Sequence, residues 1–343
     1  MKRRSFVAAS AAAVACAPLL GAVSGQPPSL RVLLGEGSPR PVPSGGFEFG
    51  GRLYRGSFSR APDGRVINLV ALEEYLYSVV PREMPSSWPV AALQIQAICA
   101  RTFVLRHAHP QRPFDVVPSD LDQVYEGTAT ESPAGRQAVD ATTGTILRYG
   151  NVYADIAYSS CCGGHTESAS DAWGGAPVPY LAGVVCPYCM ASPDYRWSRD
   201  IAFAAIARAT ARQLSGMGQL RDVRLGTRDA SGRARYIELI TNRATAAVQG
   251  SDFRLTVGPR VMPSLLILTL SVQAAEGALT GPLLHLEGAG NGHGVGLCQW
   301  GARGMALRNA TAATIAGFYF PGTTPDTWTN VSPPATRTTS LRH

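Results

Sequence analysis

Apolar and polar positions alternate in short runs between residues 29 and 70, each run bounded by Gly or Pro. This pattern predicts strands at residues 30–34 (LRVLL), within GGFEFGGRLYRGSF and within GRVINLV. The period then changes. Leu72, Leu76 and Val79 recur at helical spacing with Glu73 and Glu74 on the other side, which predicts an amphipathic helix that stops before Pro81. Glu83 is thereby placed in a Pro-punctuated turn. After it, Ser86 and Ser87 offer N-cap hydroxyls, Pro89 suits a first helical turn, and residues 91–105 contain no Gly or Pro, so a long helix follows.

Further along, TILRYG and NVYADIAYSS flank a Gly150-Asn151 turn, and VRLGTRDASGRARYIELIT reads as a hairpin turning at residues 229–232. Residues 200–214 (DIAFAAIARATARQL), with Ser198 as a cap, predict a second amphipathic helix, and LLILTLSV and LLHLEG return to strand. The predicted class is α+β: a mostly antiparallel sheet core with a few long helices, and Glu83 in the turn between two of them. Thr, Pro and Arg dominate past about Pro325, so residues 326–343 are expected to form a loose tail after a domain spanning 27–325.

The first 26 residues change the picture of where the chain works. Lys2, Arg3 and Arg4 precede an Ala-rich apolar run that ends in small residues before Gln26, the pattern of a cleaved export signal and too short for a spanning helix with flanks. Arg3 and Arg4, followed by Ser5, Phe6 and Val7, resemble a twin-arginine signal; an ordinary secretory signal is the alternative. Cys16 after Ala13, Val14 and Ala15 is similar to a lipoprotein cleavage box, but a Leu would be expected where Ala13 stands, so simple cleavage is preferred to lipid anchoring. No later stretch is long and apolar enough to span a membrane. An exported protein in the cell wall or periplasm is expected. Its formal charge of +7 rests on scattered arginines, which favours anionic wall polymers. Nucleic acid is excluded as a partner by export and by the lack of a basic run with interleaved aromatics.

Several residues could carry chemistry. Met84, Pro85 and Trp88 are the nearest apolar neighbours of Glu83 in sequence; such walls would raise its carboxyl toward the range useful for donating a proton at neutral pH. A helix-end surface carboxylate is the competing reading. In residues 293–306 (HGVGLCQWGARGMA), glycines around His293 and Val295 permit close backbone approach, His293 and Gln299 offer hydrogen bonds, and Trp300 a flat face of the kind that binds sugar rings. A tight turn with a satisfied core histidine is the alternative. If buried, Arg101 needs an anion, for which Asp120, Asp122 or Glu83 are at hand; otherwise it faces solvent on a polar stripe. The mature chain has six cysteines, an even number in an exported protein, so disulfides are the default, most simply Cys162 to Cys186 or Cys189. The other reading is a tetrahedral structural zinc on Cys162 or Cys161, His165, Cys186 and Cys189; otherwise no cofactor is expected.

Three separated motifs then give a resemblance. The run EEYLYSVVPREMPSSWPVAALQIQAICARTFVL, HGVGLCQWGARGMA and FYFPGT, in that order, resemble the SpoIID/LytB family (stage II sporulation protein D and amidase enhancer), with weaker similarity in SDLDQVYEG, YSSCCGGHTESASDAWGG and YLAGVVCPYCMASPDYRW. The likeness covers roughly residues 30–325. It implies a lytic transglycosylase acting on peptidoglycan, with the Glu of the EMP run, Glu83, as catalytic acid, and His293, Gln299 and Trp300 lining the substrate groove; for Arg101 the residue's own position favours a structural or groove role. It also places Asp120, Gln123 and Tyr125 at the border of the active site. Some members bind zinc through cysteines in that segment; no Cys stands between Arg101 and Ser160 here, so that metal is not carried over. The family's enhancers imply a second reading, a non-catalytic glycan binder that assists a cell-wall amidase. A zinc hydrolase is a third and weaker reading, since no HExxH-like arrangement occurs.

Overall fold

The computed structural model describes residues 28–43, 45–108, 112–119, 122–274 and 281–330. The export signal with Cys16, Asp120 and residues 331–343 lie outside them. In chain order the strands β1 (Ser29–Gly35), β2 (Arg40–Pro41), β3 (Phe47–Phe49), β4 (Arg52–Tyr54), β5 (Ser57–Arg60) and β6 (Val66–Ala71) lead into α1 (Leu72–Glu83) and α2 (Val90–His107). Then come α3 (Pro133–Asp140), β7 (Thr145–Tyr149), β8 (Val152–Tyr153), β9 (Tyr158–Ser159), α4 (Ala169–Trp173), β10 (Trp197–Ala202), α5 (Phe203–Ala209), β11 (Leu220–Leu225), β12 (Tyr236–Thr241), β13 (Thr245–Gln249) and α6 (Gly250–Val257). The chain closes with β14 (Ile267–Gln273), β15 (Leu283–Gly288), β16 (Leu297–Cys298), α7 (Gln299–Ala306), α8 (Ala312–Tyr319) and β17 (Thr324–Thr327). The fold is α+β. Its strands form several small sheets, antiparallel except for the β9–β16 pair, which brings residues 297–298 beside 158–159.

Two main apolar cores, with two small satellite clusters, hold these elements. The larger is built around α2, against which α1, α3, α7 and α8 pack, with β1 and β6 beyond them. A smaller core lies between the β10–β15–β14 and β11–β12–β13 sheets with α5 and α6. Helix α2 has no polar stripe: residues from Ala92 to Val104 are buried on nearly every side. Burying each of Leu93, Ile95 and Phe103 contributes about 1.5–3 kcal/mol relative to exposure. That makes α2 the axis of the domain, so whatever its side chains hold is held rigidly.

The structure departs from the sequence expectation at four places. Helix α1 runs through Pro81 and includes Glu83 as its last residue, so the acid closes a helix and does not stand in a turn. The missing proline N–H deprives only the Tyr77 carbonyl of its usual donor; Met84 N–H still donates to Val80 O at 3.0 Å, and the complete burial of Val80 outweighs its local preference for extended backbone. Helix α2 begins at Val90 with Pro89 as its cap residue, while the hydroxyl of Ser86 is engaged with Ser132. Residues 200–202 belong to β10, which pairs with β15, and the predicted long helix shrinks to α5. Finally, residues 326–330 are not a loose tail: β17 pairs with β7, and Arg148 Nε donates to Asp326 Oδ2 at 2.6 Å.

Candidate active site

The C-terminal end of α1 places the half-buried Glu83 carboxylate against the start of α7. Gln299, the first residue of α7, directs its side-chain amide at both Glu83 Oε2 (3.5 Å) and Gln96 Oε1 on α2 (3.3 Å). Because the Gln96 carbonyl accepts from that amide, the NH₂ of Gln299 faces the carboxylate and its own carbonyl is turned away. Gln96 is fully buried, so the orientation of Gln299 is set by the domain axis.

Two phenols stand close enough to feel the Glu83 charge. Burial pushes the Tyr158 hydroxyl well above its ordinary range, with the Glu83 carboxylate as the next cause; Tyr75 is raised by burial first and then by Asp122, Tyr125 and Glu83. Both therefore remain protonated at neutral pH and can only act as neutral hydrogen-bonding groups. Tyr158 Oη accepts from Gln123 Nε2 at 3.1 Å, and that amide also reaches the Ala100 carbonyl at 3.3 Å. Among the described residues the Tyr75 hydroxyl has no hydrogen-bond partner.

Aromatic rings follow directly on Gln299 in the chain and in space. Trp88 and Trp300 meet edge to face with centroids 4.9 Å apart, and the Arg303 guanidinium lies 5.1 Å from the Trp300 ring and 5.8 Å from the Trp88 ring. His293 packs against Trp173, centroids 5.0 Å apart. Val295 N–H donates to His293 Nδ1 at 3.0 Å, so Nε2 carries the proton and donates to the Tyr158 carbonyl, also at 3.0 Å. The imidazole is thus fixed as one neutral tautomer. The glycines of the motif make this loop possible: Gly294 (φ +83°) lies under the Arg233 guanidinium, and a Cβ on Gly296 (φ +71°) would fall 2.2 Å from the Ala157 carbonyl oxygen.

The structure brings Glu83, Gln299, Trp300 and His293 to one region and adds Gln96, Tyr75 and Tyr158. It buries three expected residues away from substrate contact. Arg101 is completely buried and forms a fork with Glu73, Nη2 to Oε2 at 2.6 Å and Nε to Oε1 at 3.0 Å; none of the anions expected for it is its partner. Tyr125 is only 2% exposed, and its hydroxyl donates to Asn68 Oδ1 at 2.7 Å. Gln123, 1% exposed, acts from behind through Tyr158. Asp122 caps a neighbouring turn by accepting from Val117 N–H at 2.7 Å. Gln96, one of the few polar side chains in the mostly apolar run of α2, was not singled out by sequence, although a buried amide there needs a partner.

A family model described as SpoIID, stage II sporulation protein, matches residues 62–149. An uncharacterised protein of Brachyspira hyodysenteriae is 34% identical over 283 residues, covering 81% of this chain and 73% of its own length. The stage II sporulation protein D of Bacillus subtilis is 29% identical over 271 residues, 74% of either chain. The chain belongs to the SpoIID/LytB family. The amidase enhancer of Bacillus subtilis is 26% identical over 296 residues, which are 73% of this chain and 40% of that protein. The SpoIID match contains Glu83 and Gln96 but not Gln299, so the amide that reaches the carboxylate comes from outside the matched segment. Among the described residues no helix is long and apolar enough to cross a membrane.

Behind the His293 loop, Glu167 is buried beside Arg233 (Nε to Oε2, 3.3 Å) and accepts from Ser231 Oγ at 2.8 Å. Burial pushes its carboxyl up to about 7, against the pull of Arg233. Below about pH 4.5 the group is protonated folded or unfolded; between there and about 7 the unfolded chain ionises first, so stability falls as pH rises and levels off above that window. Glu167→Gln is expected to remove this slope, a few kcal/mol at most. Thermal melts of the two proteins from pH 4 to 8 check it; parallel curves would show that Glu167 folds ionised.

Proposed function

We propose that this protein is a peptidoglycan lytic transglycosylase, exported to the wall, that cleaves between N-acetylmuramic acid and N-acetylglucosamine. The observation that carries the reading is the approach of the Gln299 amide to Glu83, which joins two motifs far apart in sequence around one carboxyl group. Aromatic faces at Trp88 and Trp300 suit sugar rings. In the proposed reaction the Glu83 carboxylic acid gives its proton to the glycosidic oxygen as the C1–O bond breaks, and positive charge develops on the muramic acid ring. The Glu83 carboxylate then takes the proton of the same sugar's 6-hydroxyl while O6 bonds to C1, closing a 1,6-anhydro ring and restoring the acid. No water is consumed. A hydrolase needs a second carboxylate at a set separation to attack C1 or activate water, whereas this route needs one group acting twice.

The Gln299 amide would hold the carboxylate at the moment it is charged, and the neutral phenols of Tyr75 and Tyr158 add dipoles without adding charge. The end of α1 presents carbonyl oxygens, a setting that favours the uncharged acid at the start of the cycle.

The similarity to an amidase enhancer favours a second reading, in which the same surface binds glycan and assists a separate cell-wall amidase. Product analysis separates them. Incubated with peptide-stripped or intact peptidoglycan, the mature chain is expected to release muropeptides with 1,6-anhydromuramic ends, read by mass spectrometry. Sedimentation with the glycan and no release would sink the transglycosylase and leave the enhancer.

A further inference from the structure

The sulfurs of Cys162, Cys186, Cys189 and Cys298 lie within 4.8 Å of one another, and all four residues are buried. These residues come from three separated segments: the loop after β9, the CPYC turn, and the end of β16. No disulfide is formed among the described cysteines. The expected fourth ligand, His165, is not in the set; its Nδ1 lies 2.6 Å from the Thr166 carbonyl, while parallel pairing of β16 with β9 carries Cys298 in instead. We propose that these four cysteines bind one structural zinc ion as a closed tetrathiolate.

Geometry argues for a metal over two disulfides. A disulfide would draw its sulfurs to about 2.05 Å and leave the other pair apart. Four sulfurs at about 2.3 Å from a tetrahedral zinc stand about 3.8 Å from each other. Cys162 and Cys189 are 3.6 Å apart, and every other pair falls inside the 4.8 Å limit. A tetrahedral all-sulfur set from a Cys-x-x-Cys turn and two further cysteines selects zinc over hard cations. Cys161 is adjacent but stands outside this mutually close set.

The surroundings suit thiolates. Cys298 caps the N-terminus of α7, its sulfur accepting from Gly301 N–H at 3.3 Å and from Cys162 N–H at 3.2 Å. The positive end of that helix favours negative sulfur. Tyr319 Oη lies 3.1 Å from Cys186 Sγ, and a Cβ on Gly301 would fall 1.9 Å from that hydroxyl and 2.8 Å from that sulfur, so glycine keeps the shell closed. Binding is balanced by proton release: Zn²⁺ displaces four thiol protons and leaves a complex of net charge two minus. With four protein ligands no position is open for catalysis, so the ion is a clamp. It pins Cys298, and with it Gln299, the next residue in the chain.

The test is elemental analysis of the mature chain expressed without added metal. One zinc per chain is expected, falling to background in Cys186→Ser and Cys298→Ser and kept in Cys161→Ser and Cys99→Ser, the last a buried cysteine of α2 remote in role from the cluster. Should the serine variants fail to fold, wild type reloaded with cobalt should show thiolate charge-transfer bands and the intense ligand-field bands of a tetrahedral site. A metal-free wild type whose intact mass shows two disulfides would overturn the proposal. So would stoichiometric iron in place of zinc, or loss of zinc in Cys161→Ser.

Discussion

Glu83→Gln is expected to lower glycan cleavage by about 10²–10⁴-fold or more, because one group serves both proton transfers. Glutamine keeps the shape of the side chain and an oxygen for the Gln299 amide, but it has no proton to give the glycosidic oxygen and no basic site for the 6-hydroxyl. Glycan binding, followed by sedimentation with peptide-stripped peptidoglycan, should persist, since the aromatic faces of Trp88 and Trp300 are untouched. The melting temperature should change little, because the side chain is half-buried at a helix end and does not fill the core. Full cleavage by a correctly folded variant would end the assignment of Glu83 as acid and base. Stimulation of a cell-wall amidase that survives the substitution, with no cleavage by wild type, would instead mark the enhancer.

That prediction rests on a residue the sequence could single out, and the reasons are local. A change of hydrophobic period from two to helical, followed by EMP between prolines, marks the junction where Glu83 lies, and the glycines of residues 293–306 mark a loop of close approach. What the sequence misplaced was decided by contacts across the chain. Residues 200–202 have helix-forming neighbours, yet β15 offers them a ladder of backbone bonds, and a strand results. Val80 avoids helix before a proline in isolation, but its full burial holds α1 together for one more turn. The fourth sulfur of the cysteine set lies 109 residues after Cys189, too far for spacing to reveal; only the parallel pairing of β9 with β16 brings it close. The same holds for Arg101. Its true partner, Glu73, sits on the side of α1 that periodicity assigned to solvent, and α2 covers that side.

Breaking the Arg101–Glu73 pair is therefore expected to cost stability and not substrate affinity. The guanidinium is 0% exposed, forked onto Glu73, and also donates from Nη1 to the Thr145 carbonyl at 2.9 Å; Glu73 Oε1 accepts in addition from Gly144 N–H at 3.1 Å. One pair thus ties α1 and α2 to the start of β7. Removing either partner leaves a buried charge without its counterion, a loss of about 3–5 kcal/mol. Arg101→Met or Glu73→Gln should lower the melting temperature by on the order of 10 °C for a chain of this size. The double variant Arg101→Met with Glu73→Leu should recover much of the loss, because two apolar side chains in that space need no counterion. If Arg101 instead gripped the glycan, Arg101→Met would raise KM sharply at temperatures where the protein is folded, and the double variant would not restore it. Melting curves and KM measured on the same three variants decide between a bond that holds the scaffold and one that holds the substrate.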